Sequence, residues 1–332
     1  MTCSGEADFH HPLLRHLQEL DVPAVGLECR SDLVDHLLDV RFGHLVVSSV
    51  ACVVIYKCSE SGRTYQGEGA TLSFSLSLGY TFRMVVVFAN QKGGVGKTTT
   101  AVNLGAYLAE MGKRVLLVDF DPQANLSSSV GARGKLPTIY EVLRGDAEIS
   151  RAIHATPVDR LEVIPSTIHL TGANVELVDV EGREFLLKKA LSEVKASYDY
   201  VFIDSPPSLG VLTVNGLVAA ETVYIPLQCE YFALEGLSLL LSTVDRVRQR
   251  FNPSLTIGGI IFTMFDSRTR LAHEVVENVV GHFGRKVFRT IIPRNVRLSE
   301  APSHGLPINL YDPGSIGAKS YKKLAEEVLS RG

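Results

Sequence analysis

The chain has 332 residues, 45 % of them hydrophobic, and a formal charge of −3. That length accommodates one large α/β domain with an appendage, and the apolar fraction supports a substantial core. The near-neutral charge excludes a globally basic nucleic-acid coat, although a local patch can still bind DNA.

Residues 1–83 differ from the rest: they hold four of the five cysteines, five of the ten histidines, and 6 Lys/Arg against 10 Asp/Glu. The cysteines, Cys3, Cys29, Cys52, Cys58 and Cys229, form no C-x-x-C pair, which points to a reducing compartment and away from an iron–sulfur or zinc cluster. Leu14 to Leu20 and Leu33 to Leu38 read as short helices, and Leu45 to Tyr56 as a strand or hairpin half. That last run is the longest apolar one, yet serines interrupt it and it falls short of the roughly 18 residues of a spanning helix. Acidic Glu6 and Asp8 stand where a secretion signal has a basic start. No basic recognition helix is visible in this segment. Met84 directly precedes the first strong strand, so translation starting there, with residues 1–83 as an overextended gene reading, is one expectation. The intact mass of the protein made from its native gene decides it.

Four β-formers, Val85 to Phe88, lead into a glycine-rich turn and then a helix-compatible run from Lys97, in the sequence VVVFANQKGGVGKTTT. Gly93, Gly94 and Gly96 let successive N–H groups turn inward around phosphate oxygens, and the helix start at Lys97 to Thr99 adds partial positive charge. Lys97 is placed to reach β/γ-phosphates, and the Thr98 hydroxyl to hold Mg²⁺. The usual G-x-x-x-x-G-K-T pattern has glycine where this chain has Gln91, and a second lysine, Lys92, follows it. By motif chemistry alone Lys92 is either a ligand or a solvated loop charge.

The first helix continues from Ala101 to Met111, with Gly112 as its cap. Arg114 to Val118 is a second buried strand ending in DFDPQ, so that Asp119 and Asp121 stand at a strand's carboxyl end, where open α/β sheets place ligand chemistry. Asp121 is the better placed to orient an attacking water, and either carboxylate can hold a water on Mg²⁺. Leu161 to Pro165 is another strand, Arg183 to Val194 a helix with Phe185, Leu186, Ala190, Leu191 and Val194 as its stripe, and Tyr198 to Ile203 a strand that delivers Asp204. Asp204 is the candidate for Mg²⁺ binding through water. Strands over Ala220 to Leu227, Leu255 to Met264 and Lys286 to Ile292 alternate with helices over Leu234 to Phe251, after Arg268, and over Ser315 to Leu329. Some seven β-segments separated mostly by helices predict a three-layer α/β sandwich with a mostly parallel central sheet.

Arg268, Arg270, Arg285, Lys286, Arg289, Arg294 and Arg297 lie close in sequence; if their loops converge they form a basic face for phosphates, and otherwise they are solvated charge. No aromatic residues interleave them, which favours duplex backbone over single strands.

From Met84 to the C-terminus, ANQKGGVGKTTTAVNLGAYLA, RVLLVDFDPQANLSS, VFIDSPPSLG, IPLQCEYFALEGL, FDSRTRLAHEVV and PRNVRLSEAPSHG resemble, in order, the segments of the ParA/Soj branch of P-loop NTPases, the deviant Walker A partition ATPases. The resemblance implies a single ATPase domain over 84–332, slow partner-stimulated ATP hydrolysis, ATP and Mg²⁺ as cofactors, and a nucleotide-sandwich homodimer. It further implies ATP contacts from Lys92, Gly93, Gly94, Val95, Gly96, Lys97, Thr98 and Thr99, with Lys92 crossing to the other subunit's nucleotide and Asp121 attending the catalytic water. Pro293 and Asn295 fall in the family's adenine-contacting loop. Arg268, Arg270 and Arg297 become candidates for dimer-dependent, nonspecific binding of double-stranded DNA. A ParB-like partner, a cytoplasmic, nucleoid-associated location and a role in chromosome or plasmid partitioning follow in the same way, without stable membrane association. Three alternatives stand beside it. A MinD-like division-site ATPase would end in a lipid-binding amphipathic helix, whereas the terminal helix here carries Glu326 and Glu327. An Mrp-like iron–sulfur carrier would need paired cysteines, and a non-hydrolysing nucleotide-gated adaptor would leave Asp121 without a task.

Overall fold

The computed structural model describes residues 83–230 and 233–331. The helices and β-segments expected before residue 83 lie outside the described residues. Seven strands form one sheet: β1 (Met84–Phe88), β2 (Val115–Asp119), β3 (His154–Ala155), β4 (Leu161–Ile164), β5 (Tyr200–Asp204), β6 (Thr222–Gln228) and β7 (Thr256–Thr263), in the order β3-β4-β2-β5-β1-β6-β7. Every neighbouring pair is parallel except β3 with β4.

Helices cover both faces, which is why the central strands read as unbroken apolar runs and not as alternations. Val85 and Val87 face one core with Leu116 and Val118, packed by α3 (Ile139–Arg144), α4 (Leu170–Glu176), α5 (Leu186–Ser192), α6 (Val211–Ala219), α7 (Ala233–Arg250) and α8 (Arg270–Phe283). Val86 and Phe88 face the other with Leu117 and Phe202, packed by α1 (Lys97–Glu110), α2 (Asn125–Ser129), α9 (Val296–Glu300), α10 (Ile308–Tyr311) and α11 (Ile316–Arg331). The three layers expected from the sequence are present. Strand order places β1 inside the sheet: the chain builds β2 to β5 on one side of it, then crosses to β6 and β7 on the other. The carboxyl end of β1 is therefore the switch point where such sheets bind ligands.

Two readings change. Lys286 to Ile292 is not a strand; a 3₁₀ turn at Gly284–Lys286 is followed only by isolated bridges, Ile260 to Val287 and Phe265 to Pro293. The cause is the Glu327 carboxylate of α11, which accepts the N–H groups of Arg289 (2.8 Å) and Thr290 (2.9 Å). The helix expected over Arg183 to Val194 is a 3₁₀ turn, Arg183–Phe185, and then α5, whose buried residues are Leu187 and Leu191. Phe185 is exposed. The expected stripe was thus rotated by one residue at its start. Among the described residues no helix is long and apolar enough to cross a membrane.

Candidate nucleotide and metal site

The loop after β1 is held from four directions. Asn90, 4 % exposed, donates through Nδ2 to the Pro226 carbonyl of β6 (2.7 Å) and accepts the Lys92 N–H on Oδ1 (3.0 Å). Thr263 at the end of β7 donates to the Val95 carbonyl (2.8 Å). Thr100 donates to the Gly96 carbonyl (2.7 Å) and lies 3.1 Å from the Tyr321 hydroxyl of α11. Gly94 and Gly96 have φ of 73° and 86°, a conformation that glycine adopts without a Cβ clash and that turns consecutive N–H groups toward one concavity.

Lys97 opens α1 and is 7 % exposed; its Nζ donates to the Lys92 carbonyl (3.3 Å). Burial pushes its pKa down, while the carboxylates of Asp204 and Asp121 oppose that. The register sets Phe88 of β1 and Asp119 of β2 on either side of Asp204. The Thr98 hydroxyl donates to Asp204 Oδ2 at 2.6 Å. Asp204 is fully buried, and burial first, then the charge of Asp119, raise its pKa to about 8 against the Thr98 bond and Lys97. Its Oδ1 is buried without a partner. Asp119 is also fully buried, with its pKa raised to about 6 by burial, although Ser127 donates both its N–H (2.8 Å) and hydroxyl (2.6 Å) to Oδ2. Asp121 accepts the Gln123 N–H (3.0 Å).

Clustered buried carboxylates with a single desolvated lysine lack positive charge, and an acceptor oxygen on Asp204 stands open. These residues fit a divalent cation held between Thr98 and Asp204 beside a phosphate chain. The other oxygen of Asp119 accepts the Asp121 N–H (3.3 Å).

The structure gathers Lys97, Thr98, Asp121 and Asp204 at the mouth of the loop of Lys92, Gly93, Gly94, Val95 and Gly96, with Thr99 in the first turn of α1. Pro293 and Asn295 reach the site's flank through the Phe265–Pro293 bridge, just beyond the strand whose Thr263 grips Val95. Asn295 Oδ1 is buried and unpartnered, an open acceptor fitting an exocyclic amino group. Among the basic residues, Arg268 grips Asp266 through two bonds (2.9 and 2.7 Å), Arg270 pairs with Glu274 (2.7 Å), and Arg297 pairs with Glu300 (2.8 Å) and Asp312 (3.3 Å). The charge of Arg294 also acts on Asp266. The residues sequence reasoning missed are Asn90, Ser127, Thr263 and Glu230, the last pairing with Lys92 Nζ. Only Glu230 had a signal, its place in the polar exit of β6.

A strand, an inward-turned glycine loop, a buried lysine and a Thr–Asp pair on adjoining elements define a P-loop nucleotide-binding protein, with Lys92 giving it the deviant Walker A form. A family profile described as an AAA domain matches residues 83–257. The chain is 63 % identical over 247 residues to the chromosome-partitioning ATPase Soj of Treponema pallidum, covering 74 % of this chain and 97 % of that one. It is 56 % identical to the sporulation initiation inhibitor protein Soj of Bacillus subtilis, covering 75 % and 99 %. Among solved structures, cobyrinic acid a,c-diamide synthase from Mycobacterium smegmatis with bound ADP and magnesium is 42 % identical, with a TM-score of 0.65 over 75 % of this chain and 94 % of that one. A putative plasmid partition protein from Borrelia burgdorferi bound to AMPPNP is 28 % identical, with a TM-score of 0.64 over 75 % and 99 %. The chain belongs to the ParA/Soj family of deviant Walker A partition ATPases.

Proposed function

We propose that this chain is an ATP-gated, DNA-tethering ATPase of chromosome or plasmid partitioning, switched by a DNA-bound ParB-like partner in the cytoplasm at the nucleoid. The observation that carries it is the convergence of Lys97, Thr98, Asp121 and Asp204 on the mouth of the Gly93–Gly96 loop. In this reading the loop N–H groups and Lys97 bind and orient the phosphates. Thr98 and, through water, Asp204 and Asp121 would hold Mg²⁺, which when bound would offset phosphate charge. Asp121 orients the attacking water and takes up its proton. Asn295 and Pro293 receive the adenine, and Lys92 crosses to the second subunit's triphosphate, where two apposed polyanions need a cation that Lys97 cannot supply.

Dimerisation then doubles the arginine patches on one surface, and the avidity of two weak patches exceeds either alone by roughly 10²-fold. Arg268, Arg270 and Arg297 would exchange their carboxylate partners for DNA phosphates, which exposed ion pairs permit at little cost. The membrane-bound alternative loses support from α11: its apolar residues Ala318, Tyr321, Leu324, Ala325 and Val328 are buried against the sheet and α1, leaving no comparable face for lipid. An amide-forming activity like the one that the mycobacterial structure is named for needs an ammonia source. Cys229, the one described cysteine, is buried with its pKa pushed up to about 11, a poor nucleophile for releasing one.

The test is ATP turnover in the parent and in Asp121→Ala, with and without a cognate partner and its DNA site. The reading expects partner-stimulated turnover that the substitution abolishes while ATP binding persists. Equal, negligible rates in both proteins would favour a non-hydrolysing adaptor.

A further inference from the structure

Lys92 and Lys97 stand on one loop, yet their ammonium groups are held in different ways. Lys97 is buried against the Lys92 carbonyl. Lys92 Nζ instead forms an ion pair with Glu230 of its own subunit, and the two side chains are 39 % and 45 % exposed.

Glu230 is no loose surface carboxylate. Gln228 Nε2 donates to its other oxygen, its N–H donates to the Gln228 carbonyl (2.9 Å), and its own carbonyl accepts the Ala233 N–H that opens α7 (2.9 Å). The opposite end is equally fixed, because Asn90 binds the Lys92 N–H and also the Pro226 carbonyl of β6, the strand whose exit carries Glu230. Both members of the pair therefore sit on one frame made from the exits of β1 and β6. Holding the cation there needs no induced movement.

We infer that Glu230 is a positioning residue that retains Lys92 within its own subunit and yields it only to the triphosphate of a second subunit. The inference rests on the reading that Lys92 crosses the dimer interface. A triphosphate presents several negative charges against the single charge of Glu230, so the exchange runs toward the nucleotide once the subunits meet. The pair is half-exposed and thus weak, which makes it a threshold on dimerisation and not a block. ADP, lacking the γ-phosphate, competes less well, and Lys92 returns to Glu230 as the dimer parts.

The experiment uses the full chain carrying Asp121→Ala, so that ATP persists. Two quantities are measured: the rate at which an amine-reactive reagent labels Lys92 in nucleotide-free protein, with exposed Lys188 as internal control, and the ATP·Mg²⁺-saturated protein concentration at half-dimerisation, by sedimentation. Glu230→Gln is expected to speed Lys92 labelling roughly two- to fivefold, the range of a partly exposed pair, and to lower the half-dimerisation concentration by a similar factor. Lys188 labelling should stay unchanged, and adding Glu230→Gln to Lys92→Ala should change dimerisation no further. Unchanged Lys92 labelling in Glu230→Gln, or a higher half-dimerisation concentration, overturns the retention role while leaving the crossing role intact if Lys92→Ala stays monomeric. Lys92→Ala dimerising like the parent overturns the crossing role and the retention role with it, whatever the labelling rate.

Discussion

Asp204 carries conflicting demands: it is buried fully for the sake of position, yet it must become a carboxylate to serve a cation. In the ligand-free protein burial and Asp119 hold its pKa near 8, and Asp119 itself lies near 6, both above the ordinary carboxylate value. A raised carboxyl pKa means that the folded state keeps its proton after the unfolded chain has lost it. The associated stability is complete below about pH 4 and is lost as pH rises, through 6 for Asp119 and through 8 for Asp204, at about 1.4 kcal/mol per pH unit for each proton. The groups with lowered values, Glu141, Asp266, Glu300 and Glu327, act in the opposite sense but only below about pH 5. Between pH 5 and 8 the ligand-free protein should therefore lose thermal stability as pH rises, and Asp204→Asn should flatten that decline, as melting in the two proteins across this range will reveal. A slope unaltered by the substitution would place the charge elsewhere. Asp204, Lys97 and Thr98 were legible in the sequence because phosphate and cation chemistry dictates their spacing and their place at strand ends. Asn90, Thr263 and Glu230 were not, because their contacts exist only once β6 and β7 lie beside β1, and no local pattern encodes strand order.

At the scale of elements, the strands buried on both faces were readable as continuous apolar runs, and β1, β2, β4, β5, β6 and β7 fall where those runs predict. Two short pieces escaped. β3 has two residues and no periodicity, and the stretch after Gly284 has strand composition and bonds to β7 through the N–H groups of Phe288 and Ile292, but gives those of Arg289 and Thr290 to Glu327 of a helix some 40 positions later. That stretch also presses Phe288 against β6 and β7: the ring lies edge-on to Tyr224 of β6 at 5.3 Å, with the Arg331 guanidinium 3.9 Å from its centroid. A methyl group added at Gly259 would overlap the Phe288 ring and come within 3.2 Å of the Lys286 carbonyl. Gly259→Ala should accordingly lower stability by about 1–3 kcal/mol in urea unfolding. Gly236 sits inside α7 with nothing within 4 Å of an added methyl, so Gly236→Ala should raise stability by about 0.5–1 kcal/mol in the same assay. If both substitutions moved stability in the same direction, the packing assigned to these two positions would be wrong.

For the whole molecule, the account joins a nucleotide site to two outward consequences, subunit pairing and DNA capture. A lone copy presents only one set of Arg268, Arg270 and Arg297, so it should bind duplex DNA weakly and with a shallower salt dependence than the pair. The ATP-bound pair should bind more tightly, and replacing both Arg268 and Arg297 with Ala should lower the log–log salt slope by about 0.9 for each phosphate that is no longer neutralised. A fluorescence titration at several salt concentrations measures that slope, and an unchanged value would remove these residues from the DNA surface. The carboxylate partners of Arg268, Arg270 and Arg297 are all near in sequence, yet which of the possible pairings forms could not be read from the chain. Pairing is the step on which the other consequences depend. The most direct measurement is the solution mass of Asp121→Ala protein saturated with ATP and Mg²⁺, by sedimentation equilibrium, alongside the same protein carrying Lys92→Ala. The account predicts two subunits for the first and one for the second; a single subunit in both, at concentrations where the protein captures DNA, would contradict it.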